Sequence, residues 1–357
     1  MKTHQVQQKT ERRISAALRL VFVAALLLGQ IALAFFLSAE LRQRAAIIYT
    51  VLELAAFGYA VRIYNRTDGT SYKFGWIFLV LTVPVVGLIL YFLWNGDRQQ
   101  KRLDLKKLPM PEEPEAQQAA HRIQMEKLRR KFPQWERLSV YLSRQGYLLY
   151  GDTETTYLPT GEAFLQDMLE KLEQAEHFIF MEFFIIAQGQ VWDRMEEIFR
   201  RKAAEGVEVK IIFDDFGSMM RFPAGQIEAL RESGVEVQVF NPVHHYVNRL
   251  YFNYRDHRKI VCIDGSTAYT GGANVADEYA NLTVRFGYWK DCGIRLDGPG
   301  AWGLTREFLH MWQRNGGQLM QERDYYRPHD HREAAGFCQP FVDLSLIHIS
   351  EPTRLAL

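Results

Sequence analysis

A histidine and a lysine two residues apart have the types and the spacing that phosphate chemistry needs. His257 and Lys259 open the pattern H-x-K-x4-D, which Asp264 closes. Because side chains on a strand repeat every two residues, His257 and Lys259 are predicted to lie on one face. A neutral imidazole is a nucleophile near pH 7, and an ammonium group neutralises charge that gathers on a phosphate oxygen. The pair therefore predicts phosphodiester transfer through a phosphohistidine.

Small residues follow this pattern and form a predicted turn. We expect the backbone N–H groups of Gly271 and Gly272, together with the Asn274 amide, to donate to the same phosphate. Chemistry of this kind requires no metal and no other cofactor. Asp214 and Asp215 end another predicted strand, but no histidine or third acid shares their spacing, which disfavours a metal site there.

Together these residues resemble the phospholipase D superfamily. The likeness rests on H-x-K-x4-D, on the G-G-x-N turn at residues 271–274 and on W-x-D at residues 289–291. We count Asp264 in the catalytic motif. The resemblance implies that it is structural, while a direct role and that of an ordinary turn aspartate before Gly265 stay open.

Two further acids are candidate supporting residues. The resemblance implies that Asp291 fixes the second ring nitrogen of His257, the alternative being an exposed aspartate at a strand start. Glu182 interrupts the apolar run FMEFFI, where an unpaired charge would be costly. Its alternatives are a functional acid and a satisfied structural carboxylate, and we favour the structural one.

Helix and strand patterns alternate around these residues. Helical stretches are predicted at 161–175, 191–205 and 223–233, and strands at 177–186, 207–215, 235–240, 258–264 and 292–296. Strands separated by helices of this length predict an α/β domain with a mostly parallel sheet packed by helices. We assign this domain to residues 136–343, after a charged, Pro-containing linker at residues 97–135.

The first 96 residues are predicted to be a membrane anchor of two or three helices. Apolar stretches cover residues 14–37, 45–61 and 74–94, and the first and third are long enough to span a bilayer. Pro84 predicts a kink in the third, and Glu53 marks the second as the likeliest re-entrant or interfacial segment. Basic residues flank both ends of the anchor, which favours a multi-pass protein of the bacterial plasma membrane with a cytoplasmic catalytic domain.

The whole layout resembles bacterial cardiolipin synthase, with membrane segments, a charged linker and then NYRDHRKIVCIDG. The resemblance implies joining of two phosphatidylglycerol molecules into cardiolipin with release of glycerol, with membrane phospholipids as partners. It also implies a second H-x-K-x4-D (HKD) domain, which this sequence lacks. Residues 344–357 resemble a translated sequencing adapter, so we expect a truncated reading frame whose missing histidine would come from a second HKD domain in trans.

Other functions stay open at this point. A phospholipase D, a one-motif phosphodiesterase or nuclease acting as a dimer, and an inactive fragment would all carry the same motif. The formal net charge is +1, from 43 basic and 42 acidic residues. A chain without a strong basic excess is a poor candidate for binding nucleic acid, so we expect no nucleic-acid partner.

Overall fold

The structure is a computed structural model that describes ten parts of the chain. They are residue 25 and residues 28–33, 42–66, 70–94, 115–242, 255–285, 287–318, 320–327, 334 and 336–342. Most of the first apolar stretch, the linker up to residue 114 and the adapter-like residues 344–357 lie outside the described residues. The described parts belong to two compact units, one containing the helices at residues 42–94 and the other residues 115–342.

In the N-terminal unit, three helices follow the helical residues 25 and 28–33. They are α1 (Arg42–Tyr64), α2 (Thr70–Thr82) and α3 (Pro84–Trp94). Residues 47–64 of α1 are long and apolar enough to cross a membrane, and in the described part of the chain this is the one helix that meets both conditions. Glu53 therefore lies in the described helix that could span a membrane, although the sequence favours a re-entrant or interfacial position for that segment.

The third apolar stretch is divided at Pro84 and is not one straight span. Proline lacks an N–H and its ring crowds the preceding turn, which ends α2 at Thr82. The backbone of Gly87 then approaches so closely that an added Cβ would lie 2.5 Å from the Leu79 carbonyl oxygen. In a straight helix those residues would be about 12 Å apart along the axis. The chain bends sharply here, which corrects the predicted kinked span.

Seven strands form one sheet in the second unit. They are β1 (Glu154–Leu158), β2 (Phe178–Phe183), β3 (Glu208–Asp214), β4 (Glu236–Phe240), β5 (Lys259–Ile263), β6 (Thr267–Gly271) and β7 (Gly293–Asp297). Their spatial order is β1-β7-β6-β5-β2-β3-β4. Strands β2, β3 and β4 are parallel, whereas β5, β6, β7 and β1 continue the sheet with antiparallel pairs. The α/β class is confirmed, and the sheet is mixed rather than mostly parallel.

Helices cover both faces of this sheet. In chain order they are α4 (Glu115–Lys131), α5 (Glu136–Arg144), α6 (Gly161–Leu172), α7 (Gln190–Ala204), α8 (Asp215–Ser218), α9 (Ala224–Glu232), α10 (Ala301–Arg314) and α11 (Glu322–Tyr325). Helices α6 and α7 pack on one face, where Phe164, Trp192 and Met181 share a buried core. On the other face, Phe308 of α10 stacks on Phe180 of β2.

The predicted linker is partly helical. Strong helix formers fill residues 115–131, with Glu115 in the first turn and three basic residues in the last, which suits the helix dipole. Trp302 Nε1 donates to Gln117 Oε1 at 3.1 Å, and both residues are buried. Helix α4 therefore packs as part of the second unit and is not a free tether.

Candidate active site

One edge of the sheet gathers the ends of five strands. The antiparallel register pairs Phe183, the last residue of β2, with Lys259, the first of β5. It likewise pairs Gly271 at the end of β6 with Gly293 at the start of β7. Because β3 runs parallel to β2, its last residue, Asp214, reaches the same edge. The residues just outside these ends form the candidate site.

His257 and Lys259 lie together at this edge. The imidazole of His257 is exposed, whereas Lys259 is buried at the start of β5. Both contact one aromatic ring: the His257 ring centroid is 4.9 Å from that of Phe184, and Lys259 Nζ is 5.6 Å from it. Lys259 Nζ also donates to the His257 carbonyl oxygen at 2.6 Å. The structure thus presents an exposed imidazole beside a buried ammonium group that a hydrogen bond holds in place.

The surroundings lower the pKa of both groups. Desolvation by the neighbouring protein, and then the Lys259 charge, lower the pKa of His257, while Asp256 opposes them. Burial lowers the pKa of Lys259 to about 8, while the carboxylates of Asp256 and Asp291 oppose that shift. A neutral imidazole and a charged ammonium therefore coexist near pH 7.

Gly272 and Asn274, which follow β6, make structural contacts that the sequence does not reveal. Gly272 donates its N–H to the Cys292 carbonyl oxygen at 3.1 Å. A Cβ on Gly272 would lie 2.2 Å from Asp291 Oδ1, so glycine is needed for close approach. Asn274 Oδ1 accepts from the Ile185 backbone N–H at 3.0 Å, and its Nδ2 donates to the Tyr279 hydroxyl at 3.0 Å. Gly272 and Asn274 thus stabilise the loop beside the site. The backbone N–H of Gly272, which is predicted from the sequence to donate to phosphate, donates to the Cys292 carbonyl oxygen instead.

Asp291 lies near the pair without bonding to the ring of His257. Its carboxylate accepts from Trp289 Nε1 at 3.3 Å and from the Cys292 backbone N–H at 2.8 Å. Among the described residues, no hydrogen bond joins Asp291 to the His257 ring. Its charge nevertheless raises the pKa of Lys259. Its role as the partner of His257 stays a prediction.

Asp264 is placed away from the site, which corrects its inclusion among the catalytic residues. It follows the last residue of β5, whereas His257 precedes the first, and a five-residue strand separates these ends by about 17 Å. The Asp264 carboxylate accepts three backbone N–H groups, from Glu176, His177 and Phe178, at 2.7–2.8 Å. Asp264 therefore anchors the start of β2 beside the end of β5.

A buried charge cluster lies behind the pair. Arg258 Nη2 lies 2.5 Å from Glu182 Oε1 in an ion pair, and Arg258 Nε lies 3.3 Å from Asp256 Oδ1. A third acid, Glu307 of α10, lies 3.7 Å from the same guanidinium. Burial raises the pKa of Glu182 well above its usual range, against the opposing charge of Arg258 and with a further rise from Asp256. Glu182 is therefore paired with Arg258, and among the described residues no hydrogen bond joins it to the His257 ring.

Asp256 was not identified as a site residue from the sequence, although it immediately precedes His257. Its backbone N–H donates to Asp214 Oδ2 at 2.9 Å, and its Oδ1 accepts from the Arg258 backbone N–H at 3.1 Å. Asp214 also accepts from the Phe216 backbone N–H at 2.8 Å, at the start of α8. These bonds fix the backbone on both sides of His257. Nothing in the sequence distinguishes Asp256 from a solvated acid, because its burial depends on β3.

A cavity of about 590 Å³ opens beside this edge. Its lining includes His257, Lys259, Gly271 and Gly272, and it continues along β5, β6 and β7 between apolar side chains. Pockets that bind small molecules commonly have volumes of about 300–1,000 Å³. The arrangement can hold a phosphate ester at its polar end.

Two family models match this sequence. Residues 168–284 match the family described as cardiolipin synthase, PLD-like domain, where PLD stands for phospholipase D. Residues 54–95 match the family described as phospholipase D-nuclease N-terminal. The first match contains His257 and Lys259, and the second covers most of the described N-terminal helices.

Similar proteins occur in several bacteria. An uncharacterised protein of Streptococcus mutans is 35% identical over 296 residues, which are 82% of this chain and 63% of that protein. Cardiolipin synthase 2 of Bacillus anthracis is 31% identical over 273 residues, which are 76% of this chain and 53% of the relative. The major cardiolipin synthase ClsA of Bacillus subtilis is 29% identical over 265 residues, 70% of this chain and 53% of that one. The chain thus spans between half and two thirds of the length of these relatives.

Among solved structures, the phospholipase D family member Nuc of Salmonella typhimurium is similar to 45% of this chain and 94% of its own. The TM-score is 0.34 and the sequence identity is 18%.

Proposed function

We propose, on the premise that residues 168–284 are a phospholipase D-like domain of the cardiolipin synthase type, that the chain is part of a membrane phosphatidyltransferase. Its substrates would be two phosphatidylglycerol molecules, and its products cardiolipin and glycerol. The observation that carries this proposal is the exposed imidazole of His257 beside the buried, fixed ammonium of Lys259.

In the first step, one ring nitrogen of His257 attacks the phosphorus of phosphatidylglycerol. The bond between phosphorus and the glycerol oxygen breaks, and that oxygen takes a proton as glycerol leaves. Lys259 stabilises the charge on a non-bridging oxygen of the transition state. The product is a phosphatidyl group bonded to His257.

In the second step, a hydroxyl of another phosphatidylglycerol attacks the phosphorus and loses its proton. The bond to His257 breaks, and cardiolipin forms. Water in place of that hydroxyl would give phosphatidic acid, so hydrolysis is the expected side reaction.

The leaving glycerol needs a proton donor, and a second histidine is the fitting one by family resemblance. In the part of the chain that the structure describes, His257 is the one histidine that lines the cavity. We propose that a second HKD domain supplies the donor in trans.

The test is the fate of a radiolabelled phosphatidyl group in vesicles. The protein is incubated with phosphatidylglycerol carrying ³²P, quenched in alkali, which preserves phosphohistidine, and separated from lipid. We expect label on the wild-type protein and none on His257→Ala. Asp264→Asn is the matched control, because Asp264 belongs to the same motif but lies away from the site. Equal labelling of wild type and His257→Ala would overturn the proposal.

A further inference from the structure

The cavity beside His257 continues as an apolar trough on one face of the sheet. The trough is lined by Ile260, Ile294, Leu296, Leu304, Phe341 and Val342. Ile260, Leu296 and Leu304 are buried and form its floor, whereas Ile294 and Phe341 are exposed at its rim by 38% and 55%. Large apolar side chains that remain exposed beside a polar site indicate a surface that a ligand covers.

The outer wall of the trough is held in place by a strap, residues 339–342. Gln339 Nε2 donates to the Tyr147 carbonyl oxygen at 2.8 Å and to the Ser139 carbonyl oxygen at 3.2 Å. At the other end of the strap, the Tyr147 hydroxyl donates to the Val342 carbonyl oxygen at 2.9 Å. The outer wall is therefore held by hydrogen bonds from side chains to backbone carbonyl oxygens.

The trough and the polar end are parts of one cavity. His257 and Lys259 line it together with Ile260 and Ile294. A ligand that fits both parts carries a phosphate at one end and a long apolar group at the other. Phospholipids have that character, and burying each methylene of an acyl chain is favourable.

The size of the trough favours a lipid chain over a protein surface. The whole cavity measures about 590 Å³. A stable protein interface buries about 800 Å² on each partner over 20–30 residues. The six apolar side chains of the trough are too few to provide an interface of that area.

We propose that the apolar trough binds one acyl chain of the phospholipid whose phosphate is held at His257. This inference rests on the proposed function, because it assigns the substrate of that function to named side chains. The trough is then a determinant of acyl-chain preference, and Ile294 is the residue at its rim best placed to control access.

The test uses a phosphatidylglycerol that carries a photoreactive diazirine at the end of one acyl chain. The full chain is placed in phosphatidylcholine vesicles containing this probe, irradiated and digested for mass spectrometry. We expect label on the peptides that contain Leu304 and Phe341. The Ile294→Trp variant should reduce that label about tenfold, because the larger side chain at the rim would obstruct the entry of the acyl chain. This reduction corresponds to a loss of about 1.4 kcal/mol in binding free energy.

Ile123→Trp is the matched control, since Ile123 is an exposed isoleucine of α4 that does not line the trough. It should leave the label unchanged. Label that is absent from the trough peptides, or that Ile294→Trp does not reduce, would overturn the inference. A trough filled by a second protein segment would give the same absence of label together with a change in molecular mass by light scattering on Ile294→Trp.

His257→Ala separates this inference from the proposed function. The variant cannot form a phosphohistidine, yet the apolar side chains of its trough are unchanged, so we still expect label on the trough peptides and a lower label when Ile294→Trp is added. Phosphohistidine without trough labelling would overturn the inference alone. Trough labelling without any phosphohistidine in wild type would overturn the proposed function alone.

Discussion

At the scale of single residues, the proposed reaction needs one deprotonated, neutral group and one protonated, charged group at the same pH. In the proposed reaction, His257 would attack phosphorus as a neutral imidazole, and Lys259 would stabilise the phosphate oxygens as a charged ammonium group. The pKa of His257 is lowered, which extends the neutral form to lower pH. The pKa of Lys259 is lowered to about 8, which limits the charged form on the alkaline side. The two shifts define the window in which the pair is competent.

The alkaline limit gives the first prediction at this scale. We expect the rate of phosphohistidine formation to fall above about pH 8 in wild type, as Lys259 loses its proton. In Lys259→Arg the guanidinium stays charged, so the fall should move above about pH 10. Quenched-flow labelling across pH measures both. If the rate still falls near pH 8 in Lys259→Arg, the group that titrates there is not Lys259.

The buried cluster gives a second prediction, on stability. Burial raises the pKa of Glu182, and Arg258 keeps the carboxylates of Asp256 and Glu307 when Glu182 is replaced by an uncharged residue. Glu182→Gln should therefore cost only about 1 kcal/mol of unfolding free energy. Arg258→Met should cost about 3–5 kcal/mol, because it leaves Asp256 and Glu307 buried without their cation. Urea denaturation at pH 7 compares the two, and equal losses would contradict this assignment.

At the scale of the elements, strand ends position every group in the site. Asp264 fixes the start of β2 against the end of β5, and the register then brings Phe183 opposite Lys259 at the other end. A shift of one residue would move His257 and Lys259 to the opposite face of the sheet. The anchor thus acts on the site through the register of two strands.

The prediction for this anchor concerns stability and not chemistry. Asp264→Asn keeps one acceptor oxygen for three backbone N–H groups, so we expect a loss of about 2–3 kcal/mol in unfolding free energy. Labelling of His257 per folded molecule should stay within twofold of wild type, a margin of about 0.4 kcal/mol. Differential scanning fluorimetry and the ³²P assay supply the two readings. A stable Asp264→Asn protein without label would return Asp264 to the catalytic residues.

The sequence predicts five of the seven strands, including β5 and β7 of the antiparallel half. The apolar run at 177–186 contains β2 at Phe178–Phe183, because a fully buried strand is apolar throughout. The sequence predicts neither β1 nor β6, although these strands are as long as β4, β5 and β7, and without them the alternation of strands and helices indicates a parallel sheet. The Asp264–Gly265 pair, with φ of 51° and 68°, is a hairpin signal that could have located β6.

The same contrast holds for the site. The sequence singles out His257 and Lys259 because their spacing has a chemical meaning, and the structure places the two residues side by side. The roles of Asp256, Phe184 and Glu307 could not, because each depends on a strand or helix distant in the sequence. Burial of a charge is a property of the folded chain, and no local pattern encodes it.

At the scale of the whole molecule, the described part of the chain holds one pair of His257 and Lys259, whereas the proposed reaction needs both a nucleophile and a proton donor. The chain spans 53% of the two cardiolipin synthases described above. If a second copy supplies the donor, phosphatidylglycerol turnover should rise with the square of protein concentration at low occupancy.

An aryl phosphodiester provides the control for this prediction. Its leaving group departs without protonation, so we expect phosphohistidine formation from bis(p-nitrophenyl) phosphate to be proportional to protein concentration. Initial rates measured over a hundredfold range of protein separate the two orders. Strict proportionality with both substrates would contradict a donor in trans.

The pairing of β2 with β5 joins the parallel and antiparallel halves of the sheet, and the site lies across that seam. Phe184 follows a strand of one half, and His257 and Lys259 come from the other. Local opening along such a boundary would dismantle the site while each half kept its own hydrogen bonds. A ligand that binds only the assembled site therefore protects the seam by mass action, and the β2 and β5 amides should exchange their hydrogens more slowly when it is bound.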